Sequence, residues 1–408
     1  MNIKARTTLW LLVFLTLSFT AERCLAGTVH YVVTNEDIAG PNSATVYKLN
    51  TAGALTEVAV LQTGGTGLGG GYFGTTRVAM DDNCIFVSDG GSVIDGEETG
   101  DIATFNAVSY APQGRFSNSA LVGAASGIGL ALNPNGQYLY AAYTSTNNIG
   151  VWQIGSNCAL ALVNTIDARG AIAGMAVDQQ GTMQYLITTY PAFPATSYVD
   201  LFSIVEGGAQ LTAAPSGPQQ ANGTPMAVDV TNDGNLAVFG DINDPSAVET
   251  WWISTTPGTC VPTSAAPPCL IAHQKFTHLG AGNDSSNIWL GPAAASDAGM
   301  GGCLYISNNN NLKVSTALFI EGKTPGTVSI TPTAGSPYAI PLGQGVTYTT
   351  GIQTVNPVST GAMIEVAEYP SYVAVVTVNP DCSLGAGVVT PDAASGASVI
   401  SIVAWPPR

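Results

Sequence analysis

Short stretches in which apolar and polar residues alternate recur along the whole chain, separated by turns built from Asn, Asp, Gly and Pro. A period of two places successive side chains on opposite faces of a strand, so each stretch predicts a half-buried β-strand. The clearest copy runs Gly127-Ile-Gly-Leu-Ala-Leu-Asn-Pro-Asn-Gly136 and continues as Gln137-Tyr-Leu-Tyr-Ala-Ala-Tyr143. Its Asn-Pro-Asn-Gly predicts a hairpin turn between two runs of strand formers. Copies follow at Ile172–Asp178 with Met183–Thr189 and at Pro225–Val230 with Asn235–Gly240, and one precedes at Thr75–Met80 with Cys84–Ser88. Looser copies are Asn287–Leu290 with Cys303–Ser307 and Thr350–Val355 with Ala362–Val366. A third strand such as Ile149–Ile154 and a fourth such as Ala159–Val163 complete each unit.

Four-stranded antiparallel units repeated at about fifty residues are propeller blades. The chain ends on Ser398–Trp405, a first strand without its hairpin partner. It begins with His30–Asn35, Ala44–Leu49 and Leu55–Val60, which are second, third and fourth strands without a first. The expectation is therefore an all-β, seven-bladed β-propeller of four-stranded antiparallel blades, its last blade closed by the C-terminal strand plus the N-terminal strands. Residues 27–408 form this single domain. Closure matters because a ring of sheets covers its edges only when complete.

Composition sharpens the picture. Only 9% of residues are charged, 46% are hydrophobic and Gly reaches 47, which suits buried strands and tight turns better than amphipathic helices. The formal charge of −16 excludes nucleic acid and anionic membrane surfaces as partners, because clustered cations are needed to neutralise phosphates. Residues 1–26 carry Lys4 and Arg6, an uncharged run from Thr7 to Ala21, then Cys24-Leu25-Ala26, the order of a cleavable signal peptide. No later segment is long and apolar enough to span a bilayer. The mature chain is thus expected as a secreted or periplasmic monomer.

Six cysteines follow the leader, an even number that in an exported protein favours disulfides. Cys260 and Cys269 bracket a Pro-rich insertion and suit a local bridge. Cys84 and Cys303 each open a second strand, while Cys158 and Cys382 each open a fourth strand one blade later. Six cysteines admit fifteen pairings; this parallel favours Cys84–Cys158 and Cys303–Cys382.

In a propeller the loops from fourth to first strands and from second to third strands share one face, where ligands usually bind. Several of the latter are acidic, including Asn35-Glu-Asp37, Asp241–Asp244 and the stretch containing Asp89, Asp95, Glu97 and Asp101. Converging carboxylates and amides there suit Ca²⁺, which takes six to eight oxygen ligands, although the spacing is not that of an EF-hand. Solvated loops are the alternative, and no cofactor is required. Arg77 begins a first strand and Arg169 precedes another, so each is a candidate to clamp a carboxylate or polarise a carbonyl, against the plainer role of pairing with a nearby acid. Asn283, Asp284 and Asn287 enter a further first strand as candidate ligand contacts, or as a capping turn. The glycine run from Gly64 to Gly71 lacks the Lys of a P-loop, and there is no zinc or serine-hydrolase signature.

Tyr31-Val-Val-Thr-Asn35, Gly53-Ala-Leu-Thr56, Asn133-Pro-Asn-Gly-Gln-Tyr-Leu-Tyr140 and Gly335-Ser-Pro-Tyr338 resemble the repeat phrases of the seven-bladed propeller lactonase family, with its YVTN-type repeats and a 6-phosphogluconolactonase among its members. The resemblance covers the mature chain and implies the fold, since its motifs encode strands and turns. It implies lactone chemistry without supplying matched catalytic residues. His30, His273 and His278 all fall away from the inner ends of first strands, and an exported acidic chain offers no cation cluster for a phosphorylated sugar. The reading from sequence is a binding module for a protein or glycan at the cell envelope, the alternative being a hydrolase of a small lactone in the channel mouth.

Overall fold

The computed structural model describes residues 30–50, 52–68, 76–94, 97–98, 100–118, 128–192, 196–231, 233–241, 247–260, 266–277, 279, 285–292, 301–308, 312–322, 324–358, 361–369, 372–392 and 401–405. The stretch 1–26 expected as a leader lies outside them. Apart from two single-turn 3₁₀ segments, the regular structure among the described residues is all strand, and no helix there is long and apolar enough to cross a membrane.

The strands group into antiparallel sheets of four or five, each formed mostly from consecutive strands. The template repeat becomes the sheet Ile128–Leu132, Tyr138–Tyr143, Asn148–Ile154 and Leu160–Asp167, with Ala131 opposite Tyr140 and Tyr140 opposite Val151. One sheet departs from chain order. Ser401–Trp405 pairs with His30–Asn35, setting Val403 opposite Val33, and Pro41–Leu49 and Leu55–Thr66 complete it. The acidic segment after Asp89 holds a small hairpin of Val93–Ile94 and Glu97–Glu98 where a loop was expected.

First strands of neighbouring sheets touch in chain order: Val78–Met80, Ile128–Leu132, Gly174–Gln180, Pro225–Val230, Ser285–Pro292, Tyr348–Val358 and Ser401–Trp405. The last of these touches the first, so the contacts close on themselves. Core follows the same order, because each sheet is apolar on both faces and stacks against the next. Phe86 and Ile102 pack with Leu130, Leu139 and Trp152 of the following sheet, and Val32, Tyr47 and Ile402 pack with Val373 and Val375 of the preceding one.

Buried tyrosines fasten neighbouring sheets at their polar tips, as a phenol in an apolar core must. Tyr140 donates to the Gly208 carbonyl at 3.0 Å, and Tyr185 donates to the Gly234 carbonyl. Gly208 sits at φ +121°, and a Cβ there would lie 2.3 Å from the Tyr138 ring, so only glycine fits. Disulfides Cys84–Cys158 and Cys303–Cys382 staple adjacent sheets and Cys260–Cys269 closes a local loop, as expected from the sequence.

Candidate functional site

The strand His30–Asn35 runs directly into Glu36 and Asp37, and the four residues from Thr34 to Asp37 are all buried. Burying so many polar groups is tolerable only if they bond to one another. Asn35 meets that need with its whole amide. Its Nδ2 donates to the carbonyls of Arg77 and Ser88, each at 3.0 Å, while its Oδ1 accepts from Asp37 N and Asn42 Nδ2. Three chain segments are thereby pinned at the end of two adjacent sheets.

Around this pin lie three charged groupings. In the first, Arg77 donates to Asp37, and both side chains are at most 1% exposed. Asp37 also accepts from Leu68 N at 3.0 Å. Burial disfavours both charges, raising the carboxyl's pKa and lowering the guanidinium's, and their mutual attraction opposes that cost. Arg77 N adds a further tie to the end of the chain, donating to Ser401 Oγ at 2.7 Å.

The second grouping joins Asp89 and Asp101, which face each other at the open end of their strand pair. Asp89 Oδ1 accepts from Asn42 and from Thr63, each at 2.8 Å. Burial, then the neighbouring Asp101, push the Asp89 carboxyl well above the usual range. Asp101 is held by Arg115, whose Nε donates to it at 3.2 Å. Gly65 is required by close approach here, since a Cβ would lie 2.2 Å from Asp89 Oδ2.

The third grouping brings Glu36 against Asp392, which follows the strand Leu384–Pro391 near the other end of the chain. Thr34 Oγ1 reaches Glu36 Oε1 at 2.7 Å and Asp392 Oδ2 at 3.2 Å. Tyr47 donates to Asp392 Oδ2 at 2.9 Å and Thr45 to Oδ1 at 3.3 Å. Burial first and Asp392 second push the Glu36 carboxyl up to about 8.

Of the residues expected at the site, Arg77, Asp89 and Asp101 come together. Arg169 does not join them: it is exposed on another part of the ring, its guanidinium 4.9 Å from the Tyr198 ring centroid. Asn283, Asp284 and Asp95 lie outside the described residues, as do the side chains of Asn287 and Glu97, whose backbones pair with Ser307 and Ile94. Asp37, Asn42, Thr63 and Asp392 were not singled out by sequence. Asp37 stood in an acidic loop already noted, but nothing local marks Asp392.

The two described histidines stand elsewhere, and His278 lies outside the described residues. His273 Nε2 lies 2.8 Å from Glu249 and Nδ1 lies 3.1 Å from Asn222 Nδ2, so both ring nitrogens are engaged, and Trp251 stacks at 4.6 Å between centroids. His30 is buried, which lowers its pKa, and it stands at the opposite end of its strand from Asn35. Among the described residues no three of His, Cys, Asp and Glu converge as metal ligands.

By sequence the chain matches no protein-family model and no curated relative. By structure it is similar to the periplasmic gluconolactonase of Pseudomonas aeruginosa, at 14% identity over 92% of this chain and 99% of that one, with a TM-score of 0.61. A functionally unknown protein from Desulfotomaculum acetoxidans aligns at 13% identity over 93% and 100%, TM-score 0.60. A Bacteroides fragilis protein carrying a provisional 6-phosphogluconolactonase name aligns at 12% over 93% and 99%, TM-score 0.58. The fold is a β-propeller of the architecture shared by these proteins. At such identities the likeness concerns architecture, and chemistry has to be argued from side chains.

Proposed function

We propose that this chain is a seven-bladed propeller, exported to the periplasm or cell surface, whose face around Asn35 and Arg77 serves as a binding module for a protein or glycan. One observation carries the reading: the guanidinium best placed for lactone chemistry is already occupied within the fold by Asp37. An electrophile clamp needs donors directed at the position where negative charge develops, and a buried, carboxylate-paired Arg77 does not offer them. His273 likewise has both nitrogens engaged. The signal-like leader and three disulfides support export, and the acidic composition points to neutral or cationic partners.

Lactone hydrolysis is the second reading, favoured by the architecture shared with a periplasmic gluconolactonase. Assay of the purified chain on glucono-δ-lactone and a panel of neutral lactones separates the two, alongside a glycan array and capture of cross-linked envelope proteins. Hydrolysis no faster than buffer, with saturable binding of one glycan or protein, is the expected result. Turnover of about 1 per second or faster, the range of ordinary enzymes, would replace the binding module with an enzyme.

A further inference from the structure

Between Gln219–Gln220 and the first strand Pro225–Val230 the chain bends through Ala221-Asn222-Gly223-Thr224. Ala221 N donates to the Ser197 carbonyl at 3.0 Å, Asn222 N to Glu249 Oε2 at 3.1 Å and Thr224 N to Asp241 Oδ1 at 3.0 Å. Among the described residues none accepts from Gly223 N. Glycine is required at this point, because a Cβ would lie 1.5 Å from Asp241 Oδ2. Packing has therefore set the least hindered backbone amide, with no acceptor of its own, directly after an exposed asparagine. The Asn222 side chain places Nδ2 3.1 Å from His273 Nδ1. The sequence holds one other Asn-Gly pair, Asn135-Gly136, and its surroundings differ. There Gly136 N donates to the Asn133 carbonyl at 2.9 Å, and Asn135 Oδ1 accepts from Asn133 Nδ2 and from Gln137 N. That turn occupies both the amide and the side chain.

We propose that Asn222 is a site of spontaneous covalent modification, where Gly223 N displaces the side-chain amide to form a succinimide that opens to aspartate or isoaspartate. The new bond joins Gly223 N to Asn222 Cγ. The Cγ–Nδ2 bond breaks, and Nδ2 departs as ammonia with the proton that Gly223 N gives up. Water then opens the ring at either carbonyl, so one water is consumed for each ammonia released. Asparagine is a thermolabile residue through this chemistry, and a following glycine leaves the attacking nitrogen unshielded. Both products put a carboxylate where His273 now meets an amide, beside Glu249. Isoaspartate also routes the main chain through the former side chain, lengthening the bend that sets Thr224 N on Asp241. The bend leads from one sheet into the first strand of the next, so ageing changes charge and shape on the face where such loops gather. The modification does not depend on what that face binds.

Peptide mapping by mass spectrometry of the folded mature chain, held at mildly alkaline pH, tests the site with Asn135 as internal reference. A gain of about 1 Da at Asn222, divided between aspartate and isoaspartate peptides, is expected at least about tenfold faster than at Asn135. In urea the two positions should react at similar rates, since only the fold distinguishes the two Asn-Gly pairs. Asn222→Gln should remove most of the acidic form that accumulates on anion exchange, because the larger ring closes far more slowly. Asn222 unchanged in the folded chain, or reacting no faster than Asn135, would overturn the proposal. An acidic form that accumulates undiminished in Asn222→Gln would also overturn it, as would a preference for Asn222 that persists in full in urea.

Discussion

Arg77 and Asp37 form an ion pair sealed from solvent where two sheets meet, each side chain no more than 1% exposed. Two charges so placed are held by each other, and removing one strands the other in a low-dielectric interior. Arg77→Ala or Asp37→Ala should therefore lower unfolding stability by about 3–5 kcal/mol. The double replacement Arg77→Met with Asp37→Leu should lie closer to the unmodified chain, because it removes both charges and keeps volume. Urea unfolding of the four proteins decides this, and equal losses in single and double variants would refute it.

The three disulfides should differ in value. Cys84–Cys158 and Cys303–Cys382 span 74 and 79 residues, while Cys260–Cys269 spans 9. Loop-closure entropy then predicts about 4.5 kcal/mol for each long bridge and about 2.5 kcal/mol for the short one. Paired Cys→Ala variants compared by calorimetry should show the larger Tm drop for either long bridge. A larger drop for the short bridge would count against the loop-closure account here.

Two buried acids give stability a pH dependence of known sign. Burial, then Asp233, push Glu321 up to about 7 from 4.5, and burial pushes Asp200 up to about 6 from 3.8. Both carboxyls hold a proton more tightly folded than unfolded. Their contribution is therefore fully present below 4.5 and 3.8, and is lost as pH rises through about 7 and about 6. Glu321→Gln and Asp200→Asn should gain on the unmodified chain as pH rises across these windows. Melting curves between about pH 4 and pH 8 test this, and a variant difference that stays flat would contradict it.

Truncation before Ser401 removes the partner of His30–Asn35 and the Ser401 hydroxyl that accepts from Arg77 N. The shortened chain should lose cooperative unfolding and expose an apolar edge that associates with other copies. Light scattering and circular dichroism together provide the check. A shortened chain that stays monomeric with an unchanged Tm would mean that the strand Ser401–Trp405 is dispensable.

What sequence revealed was local or repeated. The hairpins around Asn133–Gly136 and Asn235–Gly240 show in alternation and turn chemistry, and matching strand positions one repeat apart gave the partners of Cys84 and Cys303. The unpaired first strand at Ser401–Trp405 and the missing one before His30 pointed to each other in the same way. Arg77 was visible as a rare cation at a strand entrance, but its partner was not, because several acids compete in a loop and only geometry selects Asp37. Asp392 was beyond reach for a different reason. It meets Glu36 through ring closure, and a single acid after Pro391 carries no periodic or spacing signal.

The pairing of His30–Asn35 with Ser401–Trp405 also sets a timetable for synthesis. Its two halves are separated by roughly 370 residues, which at about 5–20 residues per second delays the second by roughly 20–70 seconds. Throughout that interval the first strands to emerge have a polar backbone edge and no final neighbour. Intermediate blades can stack as they appear, but the ring cannot be tested for correctness until its last residues arrive. The nascent protein should thus depend on whatever shields that edge, and any pause in elongation after the first strand emerges lengthens its exposure by the same amount.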